Sequence, residues 1–125
     1  MARKNEIIFN PRTKQKIMFL ETAADNNGQL LRMECWSPPV NVKEPLHIHP
    51  FQMNSFKMLE GALSFFVDGK IIRASAGDEV SILSKVPDYF WNDGIEEAHY
   101  IQEFKPAMQI EDFFAPFLIW PKMVG

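Results

Sequence analysis

Short apolar runs separated by turn residues fill the chain from residue 6 to residue 105. Between residues 31 and 35, Leu31, Met33 and Cys35 alternate with charged residues, as in a strand with one buried face. Asp68-Gly69 is the strongest hairpin signal, because a two-residue primed turn needs positive φ. Many short strands with turn signals between them predict an all-β sandwich or barrel.

The period of the apolar residues changes near the C-terminus. Apolar side chains there recur at helical spacing, at Ile110, Phe113, Phe114, Phe117 and Leu118. Pro116 interrupts this pattern, since proline cannot donate a helical hydrogen bond. The sequence therefore predicts one domain over residues 1–125, with a barrel at about 6–105 and a short or broken helix at about 108–120.

Composition excludes several classes of protein. The chain has 125 residues, of which 46% are hydrophobic, so one domain can bury a core without disulfides. Its single cysteine, Cys35, fits a reducing compartment. A net charge of −3 without a basic stripe argues against nucleic-acid binding. With neither a signal-peptide core nor a membrane-length apolar run, a soluble cytoplasmic protein is expected.

Two histidines stand one residue apart in the segment PLHIHPFQMN. On a strand, His47 and His49 project to the same side. Paired imidazoles suit a divalent transition metal such as Fe, Mn, Ni, Cu or Zn. Hydrogen bonds satisfy such a pair about as often, so the histidines alone leave both interpretations open.

The spacing around these histidines resembles that of small single-domain cupins, the RmlC-like jelly-roll barrels. His47-x-His49 is followed by four residues, Asn54, six residues and Gly61, as in the first cupin motif. The second motif is matched in spacing by Gly77, Leu83-x-Lys85, Asp88 and Asn92. The resemblance covers nearly the whole chain and implies a double-stranded β-helix, or jelly-roll, barrel.

The same resemblance implies a weakened metal site. Metal-binding cupins use His, His, Glu and His, which carry over to His47, His49, Asn54 and Asp88. An amide supplies no charge to offset the dehydration of a cation, and aspartate is shorter than histidine. Leu83 and Lys85 replace a proline and a glycine, which predicts a changed turn before Asp88.

Three functions follow from this interpretation. The first is binding of a small organic molecule in a polar and aromatic pocket lined by His47, His49, Gln52, Asn54 and Asp88. The second is a metal-dependent oxygenase or isomerase that uses His47, His49 and Asp88. The third is metal-free acid–base catalysis by His49 and Asp88, as in some sugar epimerases. Enzymatic activity is therefore an open question.

Two further expectations concern the surface. His99, on the last predicted strand, shares a face with Ile101 and Glu103 and is expected to be hydrogen-bonded rather than a third ligand. The resemblance and the Phe-rich C-terminal segment predict a homodimer, because an uncovered apolar segment favours aggregation. The other expected partner is a small-molecule ligand, with neither nucleic acid nor membrane.

Overall fold

The computed structural model describes residues 4–11, 13–39, 52–106 and, by their backbone, 118–120. Nearly all the regular structure in these ranges is β. The strands are β1 (Ile7–Phe9), β2 (Lys16–Glu21), β3 (Leu31–Ser37), β4 (Met53–Glu60), β5 (Ala62–Val67), β6 (Lys70–Ser75), β7 (Glu79–Ile82), β8 (Asp88–Trp91), β9 (Ala98–Lys105) and β10 (Leu118–Trp120). One helical turn, α1 (Ala23–Asn26), joins β2 to β3.

The strands form two antiparallel sheets. Seven strands make the larger sheet, in the order β10-β1-β2-β3-β9-β4-β7, and three make the smaller sheet, in the order β6-β5-β8. Neighbours in the larger sheet are often distant in sequence; β3, for example, pairs with β9 and not with β4. Such an arrangement of two antiparallel sheets is that of a jelly roll, which confirms the predicted fold class.

Buried and partly exposed side chains alternate along two strands of the larger sheet, so that this sheet buries one face. In β3 and β9, alternate residues are buried and the residues between them are partly exposed. Leu31, Met33 and Cys35 point into the core with no exposed surface, as their spacing predicts. Side chains from both sheets, such as Phe56 of β4 and Phe65 of β5, fill the core between them, with ring centroids 4.9 Å apart.

The predicted turns are present, and glycine is required at two of them. Asp68 and Gly69 both have positive φ, 49° and 81°, as expected for a primed hairpin turn between β5 and β6. Gly61, between β4 and β5, has φ +71° and lies against the backbone just before β9. A Cβ there would stand 2.6 Å from the carbonyl oxygen of Glu97, so only glycine fits without displacing backbone atoms.

The C-terminal helix prediction is wrong at its end. Leu118–Trp120 form β10, which pairs antiparallel with β1 at the edge of the larger sheet. The physical reason is that Leu-Ile-Trp suits a strand, and pairing with β1 satisfies backbone groups that an open edge would leave unpaired. Residues 107–117 lie outside the described residues, so a helix over that part stays a prediction.

No helix in the described ranges is long and apolar enough to cross a membrane.

Candidate functional site

The structure describes the side chains of three of the five predicted site residues. Gln52, Asn54 and Asp88 are all buried. His47 and His49 fall in the segment 40–51, outside the described residues, so their contribution to the site stays a prediction. The site is therefore built here from β3, β4, β8 and β9.

Asn54 is held by a neighbour across the sheet. It belongs to the inward-facing set of β4 and is only 2% exposed. Its carbonyl oxygen Oδ1 accepts a hydrogen bond of 2.9 Å from Nε2 of Gln102 on β9. One of the two lone pairs of the oxygen that would have to ligate a metal at this position thus already accepts an N–H donor.

Gln102 in turn contacts Cys35 on β3, which also lies within hydrogen-bonding reach of Tyr100. The Cys35 sulfur lies 3.9 Å from the Gln102 oxygen Oε1, within reach of a weak S–H···O hydrogen bond. Burial, followed by the nearby Glu34 charge, raises the pKa of the Cys35 thiol far above its ordinary value. The thiol therefore remains protonated at neutral pH, where it acts as a donor and not as a nucleophile.

A second buried hydrogen-bond group centres on Tyr100, the next inward-facing residue of β9. Its hydroxyl accepts a hydrogen bond of 2.6 Å from Gln15 Nε2 and lies 2.8 Å from Ser37 Oγ. Burial raises the pKa of Tyr100 well above its ordinary value, with Cys35 as a smaller cause. Tyr100 is thus a neutral hydroxyl within a satisfied network.

Asp88 begins β8 and is 0% exposed. A carboxyl group buried this completely must be protonated, hydrogen-bonded or close to a cation, because an isolated charge in the interior is costly. This makes Asp88 the strongest acidic candidate for chemistry in the described part of the barrel. Its contribution to a functional site stays a prediction.

The turn before Asp88 has a backbone conformation suited to glycine at the position of Lys85. Lys85 has φ +69°, a left-handed conformation that side chains seldom adopt. Glycine adopts this conformation at no steric cost whereas lysine does not, and the predicted change of the turn stays a prediction. The adjoining Leu83 is 65% exposed and lies outside the core.

Asn92, the last residue of the second motif, has a structural role. Its Nδ2 donates to the carbonyl oxygens of Ser37 and Glu96, both at 2.8 Å. Its Oδ1 accepts from the Gly94 amide at 2.9 Å. Asn92 thus ties the loop between β8 and β9 to the end of β3.

His99 lies on the opposite face of the larger sheet, away from the interior. Its Nε2 is 2.5 Å from Glu34 Oε2, and its ring stacks on Trp36 with a centroid distance of 5.0 Å. Lys16 in turn lies over Trp36, 4.5 Å from the ring centroid. The prediction of a hydrogen-bonded surface histidine is confirmed.

No cluster of three or more His, Cys, Asp or Glu side chains suited to a metal occurs within the described ranges. Both histidines of the first motif lie outside those ranges. What the described interior offers instead is mostly uncharged: amides, hydroxyls and a protonated thiol, with one carboxyl group at Asp88.

Sequence reasoning missed Gln102, Tyr100, Ser37 and Gln15 as interior groups. A signal was present for two of them in the alternation of AHYIQEF. Once His99, Ile101 and Glu103 are assigned to one face, Tyr100 and Gln102 must occupy the other. Ser37 continues the inward-facing set of Leu31, Met33 and Cys35, so the same alternation could have indicated it, whereas Gln15 lies before the start of β2.

Comparison with known proteins agrees with this architecture. No family model and no curated protein matches the chain in sequence. Among solved structures, an RmlC-like cupin from Shewanella frigidimarina superposes with a TM-score of 0.70 at 22% identity, covering 90% of this chain and 92% of that one. A protein from Thermotoga maritima described as a predicted oxalate decarboxylase gives 0.70 at 22% identity, over 85% and 99%.

KdgF from a Halomonas species also superposes, with a TM-score of 0.66 at 13% identity, over 78% of this chain and 83% of that one. The two packed antiparallel sheets define a jelly-roll fold. More particularly, the chain is a cupin domain in fold. Identities this low concern the fold and do not transfer an activity.

Proposed function

We propose that this cupin barrel binds a small organic molecule in its interior through hydrogen bonds and apolar contacts, without a redox metal. The observation that carries this proposal is the hydrogen bond from Gln102 Nε2 to Asn54 Oδ1. It uses one of the two lone pairs of the amide oxygen at the position where metal-binding cupins have a carboxylate. The neutral groups around it, such as the protonated Cys35 thiol, suit a ligand that is recognised by hydrogen bonds.

Elemental analysis of protein purified without a metal-affinity tag tests the proposal. We expect iron, manganese, nickel, copper and zinc all well below one atom per chain. Near-stoichiometric metal that is lost in His47→Ala would contradict the proposal. His99→Ala is the matched control, because His99 lies on the outer face and its loss reports metal bound there.

The ligand itself can be sought in the same preparation. Native mass spectrometry of the untreated protein would show a co-purified small molecule as an added mass that disappears on unfolding. A thermal-shift screen of organic acids, sugars and amino acids provides a second route, since a ligand that binds only the folded state raises the Tm.

A metal-dependent enzyme of the oxygenase or isomerase type is the second candidate. The complete burial of Asp88 favours it, because a metal bound by Asp88, His47 and His49 would stabilise a buried carboxylate. One of the structural neighbours is described as a predicted oxalate decarboxylase, so enzymes of this fold are a reasonable comparison. Crystals soaked in Mn²⁺ would decide, since this candidate requires an anomalous peak within bonding distance of Asp88.

Metal-free acid–base catalysis by His49 and Asp88 stays a prediction. So does the homodimer, for which the exposed Ile71 on β6, paired with Phe66 of β5, adds an apolar surface to the argument from sequence. Light scattering after size-exclusion chromatography tests the dimer, and a monomer mass of 14.5 kDa would contradict it.

A further inference from the structure

Three buried side chains form one hydrogen-bonded chain across β3, β9 and β4. Cys35 Sγ lies 3.9 Å from Gln102 Oε1, and Gln102 Nε2 lies 2.9 Å from Asn54 Oδ1. All three residues are at least nine-tenths buried, so water cannot easily replace these partners. Each group in such a chain restricts the orientation of the next.

The geometry sets the direction of these hydrogen bonds: the Cys35 sulfur faces Oε1 of Gln102, and Nε2 of Gln102 faces Oδ1 of Asn54. The Cys35 thiol is a donor, because burial keeps its proton in place, and sulfur is only a weak acceptor. Gln102 therefore turns its oxygen towards the thiol and its NH₂ group towards β4. Asn54 has to accept from that NH₂ group through Oδ1, which leaves its own NH₂ group as a donor.

The two N–H bonds of Asn54 thus stand at the position that the cupin resemblance assigns to a metal-binding carboxylate. The positive end of an N–H dipole repels a cation and attracts an oxygen with a lone pair. A hydrogen-bond donor in a buried site also discriminates strongly between ligands, since a ligand that cannot accept a hydrogen bond leaves the donor unpaired.

We propose that Asn54 contacts the ligand as a hydrogen-bond donor and so selects a carbonyl or carboxylate oxygen over a cation. Gln102, oriented by Cys35, is the positioning residue that turns the NH₂ group of Asn54 towards the ligand. The proposal rests on the proposed function and adds the chemical class of the ligand group. It also means that the residue at position 102 determines which class of ligand the barrel binds.

Gln102→Glu tests the role of position 102. A carboxylate there can only accept, so the Asn54 amide has to reverse and present Oδ1 to the interior. We expect Mn²⁺ to bind Gln102→Glu at least about tenfold more tightly than the wild type by calorimetric titration. Gln29→Glu, at an exposed position, adds the same charge outside the barrel and should leave Mn²⁺ binding unchanged.

Equal Mn²⁺ affinity in Gln102→Glu and Gln29→Glu would overturn the positioning role. Asn54→Asp is the companion variant, and it should likewise gain Mn²⁺ affinity. Circular dichroism checks that each variant is folded. NMR of the wild-type protein tests the same hydrogen bond without any variant.

NMR of the wild-type protein shows directly which of the two amides, Gln102 or Asn54, donates the hydrogen bond between them. A scalar coupling across the hydrogen bond should join Nε2 of Gln102 to Cγ of Asn54; a coupling from Nδ2 of Asn54 to Cδ of Gln102 overturns the proposal. Formate is the smallest carboxylate probe, and its addition should shift the Asn54 NH₂ signals. Absence of that shift counts against Asn54 as a ligand contact. Failure of the proposed function appears separately, as stoichiometric metal in the wild type.

Discussion

Replacing Gly61 by alanine tests the close approach between the β4–β5 turn and the start of β9. The added Cβ would stand 2.6 Å from the carbonyl oxygen of Glu97 and 3.0 Å from the Cα of Ala98. Both are backbone atoms, so a side-chain rotation cannot relieve the overlap. The replacement also places a non-glycine residue at φ +71°.

The expected cost has two parts. The left-handed conformation costs an alanine about 1 kcal/mol. Relieving the overlap requires a backbone shift, and crowding of this kind costs about 2 kcal/mol more. Gly61→Ala should therefore lower the free energy of unfolding by about 3 kcal/mol. With a urea m-value of about 1.5 kcal/mol/M, the midpoint falls by about 2 M.

Gly69→Ala is the matched control. Gly69 has φ +81°, but no heavy atom lies within 4 Å of the position of its Cβ. It carries the conformational cost without the overlap, so its urea midpoint should fall by only about 0.7 M. Equal losses in the two variants would refute the steric argument and would reduce Gly61 to an ordinary turn residue.

Three further predictions concern the buried network and one surface ion pair. Tyr100→Phe should lower the free energy of unfolding in urea by about 2 kcal/mol, because Gln15 and Ser37 lose a buried partner; an unchanged midpoint would show that the hydroxyl is dispensable. Cys35 should not react with a thiol reagent at pH 8 until urea unfolds the protein, since it is buried and its pKa is raised; reaction at the rate of a free thiol contradicts its burial. The hydrogen bond from Arg73 lowers the pKa of Asp93 below its ordinary value of 3.8, so the stability from this pair is present above pH 3.8 and is lost as the pH falls through the lower folded pKa. An NMR titration of Asp93 should show its midpoint rising in Arg73→Gln, and an unmoved midpoint means that the pair is not formed in solution.

Alternation predicted most of the barrel because a half-buried sheet demands it. A strand with one buried face buries every second side chain, as β3 and β9 do, so the faces of these two strands can be assigned from one sequence. The same rule placed His99 on the outer face, where it pairs with Glu34. The C-terminal strand was not predicted, because the three residues of Leu118–Trp120 fit either a helix or a strand period.

The hydrogen-bonded chain in the interior could not be predicted, since it depends on register between distant strands. Asn54 lies opposite Phe104, which brings Gln102 within reach from two residues along β9. Cys35 lies opposite Tyr100 on the other side of β9. These registers are tertiary properties, and a single sequence does not encode them in any local pattern.

Lys85 illustrates a different limit. The sequence predicted a changed turn because lysine replaces a glycine, but it could not predict the left-handed backbone that Lys85 has, since a lysine side chain disfavours it. The surrounding strands hold this conformation against the preference of the side chain, at a cost of about 1 kcal/mol. The backbone preference of a single residue does not decide its conformation where the flanking strands fix the path of the chain.

The pairing of β1 with β10 has a consequence for the order of synthesis. Ile7 lies beside Trp120, so β1 leaves the ribosome well before β10, and its outer edge stays uncovered until β10 has been made. During that interval the edge of β1 is open to a strand from another nascent chain. Slowing translation after residue 106 should lengthen that interval, and a folding-competent chain would then depend on chaperones that shield the edge.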